Sequence, residues 1–194
     1  MGTIKIMDEI EIVEHNPNWA NMFEVEAESI RKAVGKYLIT KIQHIGSTAV
    51  PGLAAKPVID IMVGLRDVSD GKNIIQPLQK LGYVYWAENP NPGKMFFVKG
   101  MPPYGEKRTH HVHIVEINGE FWQRRLFRDY LRIHPEEAKI YEKLKRDLAS
   151  RFRDDREAYT EGKGDYVAEI MEKARREFNN RTLTTVKIQP PKEM

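Results

Sequence analysis

The stretch H-I-G-S-T-A-V-P-G-L-A-A-K-P-V-I-D, residues 44–60, decides how this chain is read. It leaves a short apolar strand through a Gly-Ser turn, crosses a small-residue loop, and enters a second apolar strand carrying one acid, Asp60. Gly46 lets backbone approach a ligand closely, and Ser47 and Thr48 add hydroxyl donors beside free backbone N–H groups. Such a turn suits a phosphate, and an aspartate on the next strand suits the metal that accompanies one.

Asp60 is the informative member. A carboxylate among Val, Ile and Met costs several kcal/mol to bury as an unpaired ion. It must therefore be salt-bridged (to Lys56 or a nearby Arg), hydrogen-bonded or metal-bound. In an extended strand Val58, Asp60, Met62 and Gly64 share one face, and Ile59, Ile61, Val63 and Leu65 share the other. Met62 offers no oxygen to Mg²⁺, so the site is poor in acids. The run R-T-H-H-V-H-I-V-E, residues 108–116, places His111 and His113 on one strand face and His110 and Glu116 on the other. Two imidazoles at i and i+2 either chelate one metal or hydrogen-bond their neighbours, and His44 adds a third from the first strand. Aspartate with histidines suits Mn²⁺, Zn²⁺ or Fe²⁺ better than Mg²⁺. Lys56 and Arg108 adjoin the two candidate strands. Arg128 and Arg132 lie one helical turn apart and could reach a ligand together, and Lys163 sits in a G-K-G turn.

Outward from this centre the pattern is α+β. Residues 4–13 alternate loosely, as an edge strand would. Asn16-Pro17 reads as a helix cap and first turn, followed by Trp19, Phe23, Ala27, Ile30 and Val34 at helical spacing, with Gly35 as the stop. Strands are expected at 37–45, 58–65, 83–86, 95–99 and 109–117, with a short helix at 73–81 and a turn at 89–93. Helices are expected at 121–132, 135–152 and 165–178, and the polar tail from Asn179 reads as poorly ordered or docked. Residues 1–178 thus read as one domain, a sheet-containing core (1–119) with a helical segment (120–178), followed by a tail (179–194).

Of the 194 residues 41% are apolar, enough for a real core, and net charge is only +3. That balance gives no sign of the clustered basic patch that nucleic acid binding needs. With no cysteine, disulfides, thiolate metal sites and a Cys nucleophile are excluded. No apolar run approaches the ~20 residues of a membrane span, and acids occupy the N-terminal stretch where a signal peptide needs an apolar core. A cytoplasmic protein without membrane attachment is the expectation, its oligomeric state left open.

The motifs H-I-G-S-T-A-V-P-G-L-A-A-K-P-V-I-D-I (44–61), R-T-H-H-V-H (108–113), F-R-D-Y-L-R (127–132), Y-E-K-L-K (141–145) and Y-T-E-G-K (159–163) resemble the GrpB family, also called UPF0157. The resemblance runs from Glu14 to about residue 178. It implies an α+β fold with a mixed sheet of the nucleotidyltransferase superfamily, polymerase β-type, flanked by an N-terminal helix and a C-terminal helical segment. In that superfamily a Gly-Ser turn holds a nucleoside triphosphate and acids on the following strands hold two Mg²⁺ ions. Gly46, Ser47 and Asp60 match those roles in order and spacing, while Met62 stands where the second acid belongs.

The implied activity is transfer of a nucleotidyl group from a nucleoside triphosphate to a small-molecule acceptor, dependent on Mg²⁺ or Mn²⁺, with Zn²⁺ a further candidate. Gly46, Ser47 and Thr48, with Lys56, Arg108, Arg128, Arg132 and Lys163, are the candidate phosphate ligands. Asp60, His111 and His113 are the candidate metal ligands, and Asp60, His44 and His113 the candidate catalytic groups. The alternative is a catalytically inactive module of the same fold that binds a nucleotide or phosphorylated metabolite. A metal-dependent hydrolase built on Asp60, His111 and His113 ranks third.

Overall fold

The computed structural model describes residues 9–35, 38–88, 93–101 and 104–187, with the side chains of 180–187 outside that description. Helix α1 spans Trp19–Val34. Its apolar residues recur every three or four positions, so Trp19, Phe23, Ala27 and Ile30 form one buried stripe. The helix starts two residues later than expected. The Asn16 side chain accepts the Asn18 N–H at 2.9 Å and the Asn16 carbonyl accepts the Trp19 N–H at 3.0 Å, which makes a turn ahead of the helix. Gly35 ends it at φ 87°, a conformation that costs a residue without Cβ little.

The described strands are β1 (Ile39–Ile45), β2 (Ile59–Leu65), β3 (Tyr83–Tyr85), β4 (Lys94–Lys99) and β5 (His110–Glu116), and they form one sheet in the order β1-β2-β5-β4-β3. β2 and β5 run parallel and the other neighbours antiparallel, so the sheet is mixed. Helix α2, Lys72–Lys80, lies in the crossover from β2 to β5 and carries Pro77 inside it.

The two faces of β2 have different partners. Ile59, Ile61, Val63 and Leu65 pack with Val112 and Ile114 of β5, Phe97 of β4, and the apolar stripes of α1 and α2. On this side Glu26 of α1 is buried, accepting hydrogen bonds from the Tyr83 hydroxyl at 2.9 Å and from Lys99 Nζ at 2.8 Å. On the opposite face Met62, Val115 and Trp122 form a small apolar cluster. The helices that follow complete that side: α3 (Arg125–Ile133), α4 (Pro135–Arg151), α5 (Arg156–Glu161) and α6 (Gly164–Lys187). Their core takes in Val50 and Leu53 from the loop after Gly46, so the loop is packed into the helical side rather than left on the surface.

Several boundaries differ from the sequence reading. Within the expected edge strand only Val13 makes a bridge, to Ala55, among residues 9–13; residues 4–8 lie outside the description. The segment expected as one helix from Phe121 is a 3₁₀ turn, Phe121–Arg124, leading into α3. The short α5 was not anticipated, and α6 continues past residue 178 to Lys187. Most of the expected turn at 89–93 and the far end of the tail lie outside the described residues. No helix among the described residues is long and apolar enough to cross a membrane.

Because Ile61 is fully buried between α1 and the sheet, Ile61→Ala should cost about 2–5 kcal/mol of unfolding free energy. Urea denaturation checks this, and a cost near zero would place the core elsewhere.

Candidate functional site

Residues Gly46 to Asp60 form the centre of the site. β1 delivers the chain to Gly46, whose φ of 72° turns it into the 3₁₀ turn Ser47–Ala49. A Cβ at Gly46 would sit 2.5 Å from Asp60 Oδ2, so the absence of a side chain is what lets the turn lie against the carboxylate. The parallel register places Asp60 beside His111 and Met62 beside His113, and β4 adds Phe96 opposite His113.

Asp60 keeps 30% of its side chain exposed, so it opens to a recess rather than to the core. Its Oδ1 lies 2.9 Å from His111 Nδ1 and 3.8 Å from His113 Nε2, the first a hydrogen bond and the second within ion-pair range only. Desolvation would raise the carboxyl's pKa, but the two histidines outweigh it and hold the acid well below the usual carboxylate range. Burial pushes both imidazoles down, against the pull of Asp60, and so favours their neutral forms. An ionised carboxylate only accepts, so His111 carries its proton on Nδ1. That leaves the lone pair on Nε2, which is buried and has no hydrogen-bond partner among the described residues. Phe96 packs against both rings, with centroids 5.1 and 5.0 Å away.

Around this single acid the charges are positive. Lys94 and Lys163 are near enough for Asp60 to act on both, Arg156 acts on His111, and Arg124 acts on His113. Burial holds Lys163 down at about 8. Lys163 and Lys56 lie over the Tyr159 ring at 4.3 and 4.9 Å.

Other expected site residues turn out to hold the turn from outside. His44 points to the α1 side of the sheet, stacked on Phe23 at 4.8 Å, and its Nε2 meets Thr48 Oγ1 at 3.0 Å. Burial lowers it to about 4. Thr48 is itself buried and donates to the Val58 carbonyl, so its hydroxyl is used within the fold. The Arg128 guanidinium donates to the carbonyl of His44 and the side chain of Gln43, and Arg132 donates to the Ala49 carbonyl at 2.9 and 2.7 Å. These two arginines anchor backbone and are not brought to the carboxylate. Glu142 of α4 accepts the Ala54 N–H at 3.1 Å, and the buried Lys145 donates to the Ala54 carbonyl. Arg108 lies over the Trp86 ring at 5.7 Å.

The structure thus gathers Gly46, Ser47, Asp60, His111, His113 and Lys163, with Lys56 beside Lys163. It adds Lys94, Arg124 and Arg156, which sequence reasoning did not select. Lys94 and Arg124 read as ordinary surface or helix charges, and Arg156 belongs to the helix that was not anticipated. The signal that could have found Arg124 was the excess of Arg among Arg124, Arg125, Arg128 and Arg132 beyond any core-facing stripe.

The donor set does not fit a pair of divalent ions. It holds one carboxylate, already hydrogen-bonded, and Met62 in place of a second. Among the described residues no group of three or more His, Cys, Asp or Glu side chains is arranged to hold a metal.

A mixed five-strand sheet backed by a helical segment, with a Gly-Ser turn against an acid on the adjacent strand, makes this an α+β domain consistent with a polymerase β-like fold. The sequence model of the GrpB protein family matches residues 9–173, and the chain belongs to that family. A UPF0157 protein of Pseudomonas aeruginosa is 48% identical over 167 residues, covering 86% of this chain and 68% of the relative. The glutamate-rich protein GrpB of Alkalihalophilus pseudofirmus is 36% identical over 167 residues, covering 84% and 94%. The crystal structure of conserved protein GrpB from Enterococcus faecalis is similar with a TM-score of 0.79 at 34% identity, covering 87% of this chain and 99% of that one.

Gly46→Ala should push the turn off Asp60 and cost more than 1 kcal/mol of stability, as a strained φ and a steric clash combine. Gly35 also has a positive φ but nothing within 4 Å of its missing Cβ, so Gly35→Ala isolates the φ penalty. Equal melting temperatures for the two variants would contradict the close approach.

Proposed function

We propose that the protein binds a nucleotide or a related phosphorylated small molecule, with the phosphates between the Gly46–Ser47 turn and the surrounding cations. The observation that carries this reading is the charge balance of the recess. One acid, already hydrogen-bonded to His111, acts on Lys94 and Lys163, while Arg156 and Arg124 act on its neighbours His111 and His113. An anion bearing several negative charges complements such a set, each charge-assisted hydrogen bond contributing about 1.5–3 kcal/mol. The family's nucleotidyltransferase-like fold supports a nucleotide among phosphorylated ligands. Absence of cysteine fits a cytoplasmic setting.

One observation favours a second reading, nucleotidyl transfer. The Asp60–His111 pair fixes the imidazole tautomer and leaves the Nε2 lone pair outside that hydrogen bond, the protonation state a general base needs. An acceptor hydroxyl would pass its proton to Nε2 as its oxygen bonds to the α-phosphorus, and the bond to the β-phosphate would break with pyrophosphate leaving. The cations would offset the charge that develops on the phosphates. In this reading the base is His111, which the sequence reading places among the candidate metal ligands, with His44 and His113 among the catalytic groups.

Calorimetry with nucleoside triphosphates and inorganic tripolyphosphate, with and without a chelator, tests the binding reading. Binding should persist in chelator, fall at least tenfold in Lys163→Gln, and hold or strengthen in Asp60→Asn, which removes a like charge. No binding under any condition would sink the proposal. A strict metal requirement abolished by Asp60→Asn would instead favour transfer, checked by release of pyrophosphate.

The titration of Lys163 sets a pH dependence. Its ammonium is present below about pH 8 and is lost above it. Terminal phosphate, with a second pKa of about 6, is already ionised there. Affinity should therefore decline between pH 7.5 and roughly 9.5, a bound anion shifting the decline upward. Lys163→Arg should flatten the profile, since arginine stays charged.

A further inference from the structure

We propose that Trp86 is the platform on which the base of a nucleoside phosphate stacks, so that the ligand of the recess is a nucleoside phosphate rather than a phosphosugar or an inorganic polyphosphate. This rests on the phosphate-binding reading of the recess. Trp86 follows β3, pairing through its N–H with the Phe96 carbonyl at 2.9 Å, and its side chain lies on the same sheet face as Asp60. Tyr83 and Tyr85, which alternate with it, turn to the α1 side. Trp19 and Trp122 are buried at 2% and 4% exposure, whereas Trp86 keeps 44% of its surface in solvent.

The exposed ring is continuous with the site. Its centroid lies 6.3 Å from Phe96, and Phe96 lies 5.1 and 5.0 Å from His111 and His113. The path from the Asp60–His111 pair to the indole is therefore two ring contacts long, comparable to the reach from the phosphates of a nucleotide to its base. Arg108 lies over the indole at 5.7 Å, which places a cation where base, ribose and phosphate would meet. A flat apolar ring bordered by a guanidinium, beside a cationic recess, recognises a planar heteroaromatic group carrying phosphate. A phosphosugar would leave the indole unused.

Titrations of ATP and CTP against inorganic tripolyphosphate, followed by calorimetry and tryptophan fluorescence, decide the matter. In the unmodified protein the nucleotides should bind roughly tenfold or more tightly than tripolyphosphate and quench the exposed indole, ATP more than CTP. In Trp86→Ala the nucleotides should fall to the affinity of tripolyphosphate, whose own binding stays unchanged. Trp86→Phe should restore part of the difference, and because the ring is exposed both variants should melt near the parent temperature. An unchanged ratio in Trp86→Ala overturns the proposal. So does equal binding of nucleotide and tripolyphosphate by the parent protein, which leaves the phosphate site standing and removes only the base subsite. If neither ligand binds, both readings fall together.

Discussion

The constraint on which the rest of this structure depends is the parallel register of β2 and β5, which sets the hydrogen bond between Asp60 and His111. Strand side chains alternate with period two, so a slip of one residue would send Asp60 into the apolar side and bring Ile59 and Ile61 into the recess. The apolar demand of α1 and α2 on one face therefore fixes the polar geometry on the other. Core packing and site geometry are two results of the same register.

Seen electrostatically, the recess has one negative group and several positive ones, the inverse of a two-metal centre, where clustered carboxylates attract cations. Met62 shows how the inversion is accommodated. At 2% exposure it packs with Val115 and Trp122, so the position where the superfamily pattern places a second acid contributes to an apolar cluster. A carboxylate there would be desolvated against an indole with its nearest charge already hydrogen-bonded.

Much of the fold was legible in the sequence. The stripe from Trp19 to Ile30 and the stop at Gly35 follow from helical periodicity, and the two faces of β2 and β5 follow from strand alternation. The start of α1 was misread because Asn16-Pro17 has cap chemistry, yet its side-chain hydrogen bond closes a preceding turn. Helix α5 went unseen because six residues carry too little periodicity to register. The core of the site, from Gly46 to Asp60 with His111 and His113, was readable because those residue types cluster in a motif. The roles of His44, Thr48, Arg128 and Arg132 were not, because a buried anchor and an exposed ligand use the same side chains. Which one a residue becomes depends on the carbonyl the tertiary fold puts in front of it.

Helices α3 and α4 hold the glycine turn and the loop after it by their backbone, through Arg128 at His44, Arg132 at Ala49, and Glu142 and Lys145 at Ala54. The sheet and the helical segment look divisible along the chain, near residue 119, but in space the second half is the scaffold of the first half's loop. A recombination event or an engineered cut at that point would separate a binding loop from what shapes it. The two halves can be inherited, transplanted or redesigned only as one unit, and a change in α3 can register at the Gly46–Ser47 turn without touching it directly.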